Sequence, residues 1–134
     1  MASGNAYDKL NGTTLAYMGD SAYELYIRRH LIDMGKTKVD KLHHAATKYV
    51  SARAQSKIVR ELLSAGILTD EEEYIYRRGM NRRLKTIPKN TPPYIYKEAT
   101  GFEALVGFLY LKGRYERLGE IINMAIDIIE GKQE

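Results

Sequence analysis

The sequence predicts an all-α protein, a single-domain helical bundle spanning residues 1–134. Three observations carry that prediction. Apolar residues recur at three- and four-residue spacings along most of the chain, and no stretch alternates with the period of a strand. All three prolines fall within residues 88–93, so nothing breaks the helical pattern elsewhere. Capping and stopping residues stand at the joints between the periodic segments: Asn11, Gly35, Ser51, Gly66, Thr69 and Gly113. A length of 134 residues suffices for one domain with a substantial core.

Taken in order, residues 1–10 read as an irregular lead-in. Asn11-Gly12-Thr13 supplies a turn and a cap, and the first main helix is expected from Thr13 to Asp33. Leu15, Met18, Ala22, Leu25, Tyr26, Arg29 and Ile32 fall on one stripe of it. Gly19 and Asp20 interrupt that stripe. A glycine in a helix interior costs about 1 kcal/mol relative to alanine. A carboxylate beside a buried stripe needs a partner, a metal or water. Two readings follow: Asp20 faces solvent while Gly19 permits close packing, or the pair marks a site.

Gly35 is the expected left-handed stop after the first helix. Val39 to Ala65 is helical by composition, with Leu42, Ala45, Ala46, Tyr49 and Val50, then Ala54, Ile58 and Leu62, facing inward. Ser51 is read as a break between two helices. The adjacent His43 and His44 project about 100° apart and suit a surface better than one shared metal. Thr69 followed by four acidic residues reads as a capped helix start, where carboxylates complement the positive end. That helix is expected to end near Met80. Residues 81–93 form a basic, proline-containing connector. Tyr94 to Lys112 is the next helix, with Phe102, Leu105, Val106, Leu109 and Tyr110 as its core stripe. Arg114 to Glu130 is the last, with Leu118, Ile121, Ile122, Ala125, Ile126 and Ile129 inward.

Composition narrows the function classes. There is no cysteine, so disulfides and thiolate metal sites are excluded, and a cytoplasmic location fits. No apolar run reaches the roughly 18 residues of a membrane span, and the N-terminus lacks the layout of a signal peptide. Tyrosine is frequent, at 11 against two phenylalanines and no tryptophan, which suits half-buried groove walls and interfaces. The net charge of +4 is unevenly placed. Between Tyr74 and Lys97 lie seven basic residues and no acidic one, which leaves −3 on the remainder. A basic segment on a slightly acidic body points to a localised anion contact. Arg77, Arg78, Arg82, Arg83, Lys85 and Lys89 are the candidates for contacts to a nucleic-acid backbone. The prolines stiffen the segment and lower the entropy lost on placing it in a groove. The plainer reading is a solvated loop.

Leu15–Asp20, with its Gly-Asp pair, and Gly101–Leu111, GFEALVGFLYL, resemble the two halves of the ribonuclease III catalytic domain. The resemblance runs from about Thr13 to Glu130 and implies that domain's helical fold. No double-stranded-RNA-binding domain follows, which resembles the short bacterial members of the family. It implies a magnesium-dependent endoribonuclease acting on double-stranded RNA, with Asp20 and Glu103 as catalytic metal ligands. It further implies a homodimer, with Tyr17 packing into the partner subunit, and a role in maturing large-subunit ribosomal RNA, aided by a ribosomal protein. Typical members carry two further carboxylates, four residues before the motif Asp and three before the motif Glu. Those positions are Ala16 and Thr100 here. Thr100 is a candidate for holding a water on the metal; Glu24, one turn after Asp20, matches no family ligand. The departure leaves open a second reading, a non-catalytic RNA-binding or ribosome-associated module on the same fold. A third is a helical protein-interaction dimer.

Overall fold

The computed structural model describes residues 4–81 and 89–132. The described residues form seven helices: α1 (Gly4–Tyr7), α2 (Gly12–Asp33), α3 (Val39–Val50), α4 (Ala52–Ser64), α5 (Asp70–Met80), α6 (Pro93–Leu111) and α7 (Tyr115–Glu130). No strand occurs among them.

Each boundary has a local cause. The Asn11 side chain accepts the Thr14 N–H and starts α2. Gly35 stops it with φ +92°, a conformation that penalises any side chain. Ser51 is extended, ends α3 and caps α4 through the Ala54 N–H, so the predicted break is real. Thr69 and Glu72 form a reciprocal capping box at the head of α5. Pro93 opens α6, where its missing N–H is harmless.

The core is organised around α6. Ile95, Ala99, Phe102, Ala104, Leu105, Val106, Phe108 and Leu109 are all buried, so this helix is enclosed by the others rather than laid on them. Tyr110 is the exception: its spacing places it in the core stripe, but it is 38% exposed, at the end of the enclosed stretch. α2 packs along α6, with α4 and α5 on its other sides, and α7 closes the bundle through Leu118, Ile121, Ile122 and Ala125.

α2 corrects the sequence reading further. Its inward face is Leu15, Ala16, Gly19, Ala22, Tyr23, Ile27 and Leu31. Leu25 and Ile32, assigned inward from spacing, are 66% and 52% exposed. The helix carries two apolar strips, and periodicity alone does not say which one meets the core. The lead-in also differs from expectation. α1 is one helical turn, Leu10 packs on the core, and Arg78 donates to the carbonyls of Asp8 and Leu10.

Candidate carboxylate site between α2 and α6

The site depends on how closely two backbones approach. A Cβ built on Gly19 would lie 1.7 Å from the Glu103 carbonyl oxygen, and one on Gly107 would lie 1.9 Å from that of Leu15. Both distances are far inside van der Waals contact, so neither position tolerates a side chain. The two glycines let α2 and α6 touch backbone to backbone. Asp20, next to Gly19, is thereby carried to Glu103, one turn before Gly107. The interruption seen in the α2 stripe is thus a packing device that also carries one carboxyl toward another. The alternative, a merely solvent-facing Asp20, is only half true: the side chain is exposed but within hydrogen-bonding reach of Glu103.

Glu103 lies deeper than Asp20 and is only partly accessible. Burial and the neighbouring Asp20 carboxyl push its pKa up to about 8, while a hydrogen bond from Gln55 pulls it down. Among the described residues no lysine or arginine forms an ion pair with either carboxyl. Two acids held together without a cation will share a proton or take up a metal. The donor set suits magnesium, which takes few protein ligands and keeps its other positions for water and phosphate oxygens. No group of three or more His, Cys, Asp or Glu side chains disposed for a metal occurs among the described residues.

The other predicted residues are dispersed around this pair. Ala16 is buried on the inward face of α2 and offers no donor. The Thr100 hydroxyl donates to the Tyr96 carbonyl of its own helix at 2.9 Å, leaving its oxygen to accept. Glu24 is paired with Arg28 at 2.9 Å. Tyr17 is 79% exposed, which excludes an intramolecular core role. Arg77 and Lys89 are exposed, Arg77 within 3.8 Å of Glu73. Arg78 is committed to the lead-in and stacks over Tyr74. Arg82, Arg83 and Lys85 lie outside the described residues. His43 and His44 are exposed on α3, away from the carboxylates.

Two features escaped the sequence. Gln55 on α4 is 2% exposed and donates to both Val50 O, at 3.0 Å, and Glu103 Oε2, at 3.4 Å. A single glutamine in a helix gives no periodic signal. Glu72, read as a capping acid only, is also buried, and its carboxylate takes two bonds of 2.8 Å from Arg117 of α7. The cap was visible in the sequence; the arginine, 45 residues away, was not.

A helical bundle with a carboxylate pair at a glycine-tight helix contact points to a class of enzyme that works through acidic residues rather than a nucleophilic side chain. Within that class the assignment is specific. The ribonuclease III domain profile matches residues 13–114, and the chain belongs to the ribonuclease III family. It is 48% identical over 120 residues to Mini-ribonuclease 3 of Enterococcus faecalis, covering 90% of this chain and 91% of that one. Against Mini-ribonuclease 3 of Streptococcus pneumoniae it is 46% identical over 122 residues, covering 91% and 95%. A crystal structure of a protein from Fusobacterium nucleatum superposes with TM-score 0.79 at 33% identity, over 89% of this chain and 93% of that one. The chain is accordingly an endoribonuclease of the type that acts on double-stranded RNA. None of the described helices is long and apolar enough to cross a membrane.

Proposed function

We propose that the protein is a magnesium-dependent endoribonuclease that matures large-subunit (23S) ribosomal RNA precursors in the cytoplasm. The observation that carries this reading is the Asp20–Glu103 pair, brought together by Gly19 and Gly107, with no lysine or arginine paired to either acid among the described residues. Asp20 and Glu103 would hold the metal. When bound, a divalent ion activates water and stabilises charge on the phosphate and leaving oxygen. The protein's own share is positional. The half-buried Glu103 is set by α6 and the exposed Asp20 reaches in from α2, so both act from rigid elements. With only two carboxylates, binding of metal before RNA arrives should be weak.

Arg77, Lys89 and the intervening Arg82, Arg83 and Lys85 supply contacts to the RNA backbone, which fix the duplex without reading its sequence. Arg78 contributes less, since its guanidinium is occupied by Asp8 and Leu10. The unit of function is a homodimer. Tyr17, Leu25 and Ile32 lie on one exposed side of α2, interspersed with Ser21 and Arg28, and a second copy of the chain would cover them. A two-fold pair puts one site on each strand and yields staggered ends. A ribosomal protein would present the substrate.

The test is cleavage of a labelled 23S precursor duplex with magnesium or chelator, comparing the parent with Asp20→Asn and Glu103→Gln. Staggered, magnesium-dependent cuts lost by at least about 100-fold in both variants are expected. Ala16 and the internally bonded Thr100 favour one competing reading, an RNA-binding module that does not cut. Salt-dependent duplex binding with intact RNA in every lane, ribosomal protein included, would establish that reading instead.

A further inference from the structure

We propose that Gln55 is a positioning residue for Glu103. The inference rests on the reading of Glu103 as a metal ligand. Gln55 projects from the first turns of α4 into the space between α4 and α6, where it is 2% exposed. Its amide orientation is fixed by chemistry. Nε2 lies 3.0 Å from the Val50 carbonyl oxygen, and only an N–H is favourable there. Val50 is the last residue of α3, so the carbonyl belongs to a helix end and has no partner within that helix. The second N–H of the same nitrogen reaches Glu103 Oε2 at 3.4 Å. One amide thus ties the α3–α4 junction to the carboxylate on α6.

Two consequences follow for the site. A carboxylate that accepts a fixed bond on one oxygen loses rotational freedom, and its remaining lone pairs stay turned toward Asp20 and whatever ion joins them. Groups that orient a metal's ligands in this way typically contribute 10- to 100-fold in metal affinity or activity. The other end of the amide is equally telling. Gln55 Oε1 is buried and has no hydrogen-bond partner among the described residues. A buried acceptor left empty is costly, and native proteins keep one where water or an ion completes the arrangement. A purely structural glutamine at this place would need its Val50 bond alone.

Mn2+ binding, followed by its electron paramagnetic resonance signal on the RNA-free protein, separates these roles. Gln55→Met keeps the length of the side chain and removes the amide. Gln55→Asn keeps an amide one methylene too short to span Val50 and Glu103, and it guards against a folding failure of the first variant. Both are expected to weaken Mn2+ binding by about 10-fold and to lower kcat on duplex RNA, with KM for RNA unchanged. Either variant, folded and binding Mn2+ like the parent, would overturn the proposal, even with a lowered melting temperature. A parent that binds Mn2+ but does not cut RNA would remove the nuclease reading and leave the Gln55 comparison intact. A parent that binds no Mn2+ even at millimolar concentration would overturn the Gln55 proposal, while cleavage of duplex RNA decides the nuclease reading separately.

Discussion

The α2–α6 seam and the attachment of α7 solve the same problem, holding one helix against a bundle, by opposite means. At the seam, side chains are removed. Gly19 and Gly107 bring peptide planes into contact, and the separation of the helices is set by backbone atoms that cannot rearrange. α7 is attached by what its side chains add. Leu118, Ile121, Ile122 and Ala125 fill the core, and a polar clamp sits near each end. Near the start, Arg117 bonds Glu72 and the Ile67 carbonyl. At the finish, Glu130 Oε2 lies 2.7 Å from His30 Nε2 and 2.8 Å from the Tyr49 hydroxyl. Rotamers and hydrogen bonds can adjust to a change of a few tenths of an ångström; two backbones in contact cannot. The seam is where precision is needed under the proposed function, because Asp20 and Glu103 would hold a metal only at a defined distance. The α7 contact has no such duty.

Breaking the seam should therefore have the largest effect. Gly107→Ala forces a methyl group against the Leu15 carbonyl, where the built Cβ lies 1.9 Å away. The helices must separate, at a cost of about 3 kcal/mol or more. Displacement of Glu103 from Asp20 by about 1 Å should lower kcat about 100-fold even where the fold survives. Urea unfolding and single-turnover cleavage of duplex RNA measure the two effects. Parent-like values in both would show that the seam is looser than its glycines indicate.

The contrast also explains what could be read from the sequence. Helix ends are local events, so Asn11, Ser51, Thr69 and Gly35 disclose them from residue type and position alone. The α7 stripe is legible because its face is made of large apolar residues at regular spacing. The meeting of Asp20 with Glu103 is not written in the spacing of either helix; it enters through the resemblance of two motifs. A glycine says that something comes close without saying what. Leu25 and Ile32 are misplaced by spacing for a related reason: α2 has an apolar strip on each side, and the inner one is made of small residues that a search for large ones passes over. The Gln55 bond to Glu103 and the Glu72–Arg117 pair are invisible because each joins residues dozens of positions apart through single polar atoms.

The far clamp of α7 should be sensitive to acid in a way that the seam is not. Burial tends to raise the Glu130 pKa, but bonds from His30, Lys132 and Tyr49 outweigh it and bring it down to about 2, from an ordinary value of 4.5. A carboxyl whose folded pKa is lowered stabilises the fold above its unfolded pKa, and that stabilisation fades as pH falls. The window here runs from about 4.5 down to about 2. Urea midpoints measured across it should fall more steeply for the parent than for Glu130→Gln, with the parent's advantage at pH 6 shrinking toward pH 2. Parallel curves would mean that Glu130 gains nothing from its three partners. Cleavage measured above pH 6 should be little changed, since Glu130 bonds to His30, Tyr49 and Lys132 and to neither Asp20 nor Glu103.

The smallest effect should be a gain. Gly119 lies in the same helix as that clamp, and a Cβ built on it meets nothing within 4 Å. Here glycine has no approach to protect and no left-handed backbone to permit, so it only adds freedom to the unfolded chain. Gly119→Ala should stabilise the protein by about 0.5–1 kcal/mol, seen as a higher urea midpoint at constant slope, with cleavage unchanged. The same substitution that opens the seam at Gly107 thus strengthens α7 at Gly119, and the difference lies in what stands opposite the missing methyl group. A loss of stability at Gly119 would mean that the open space beside it is filled in solution. Repeating the measurement across protein concentrations would then show whether a second copy of the chain fills it.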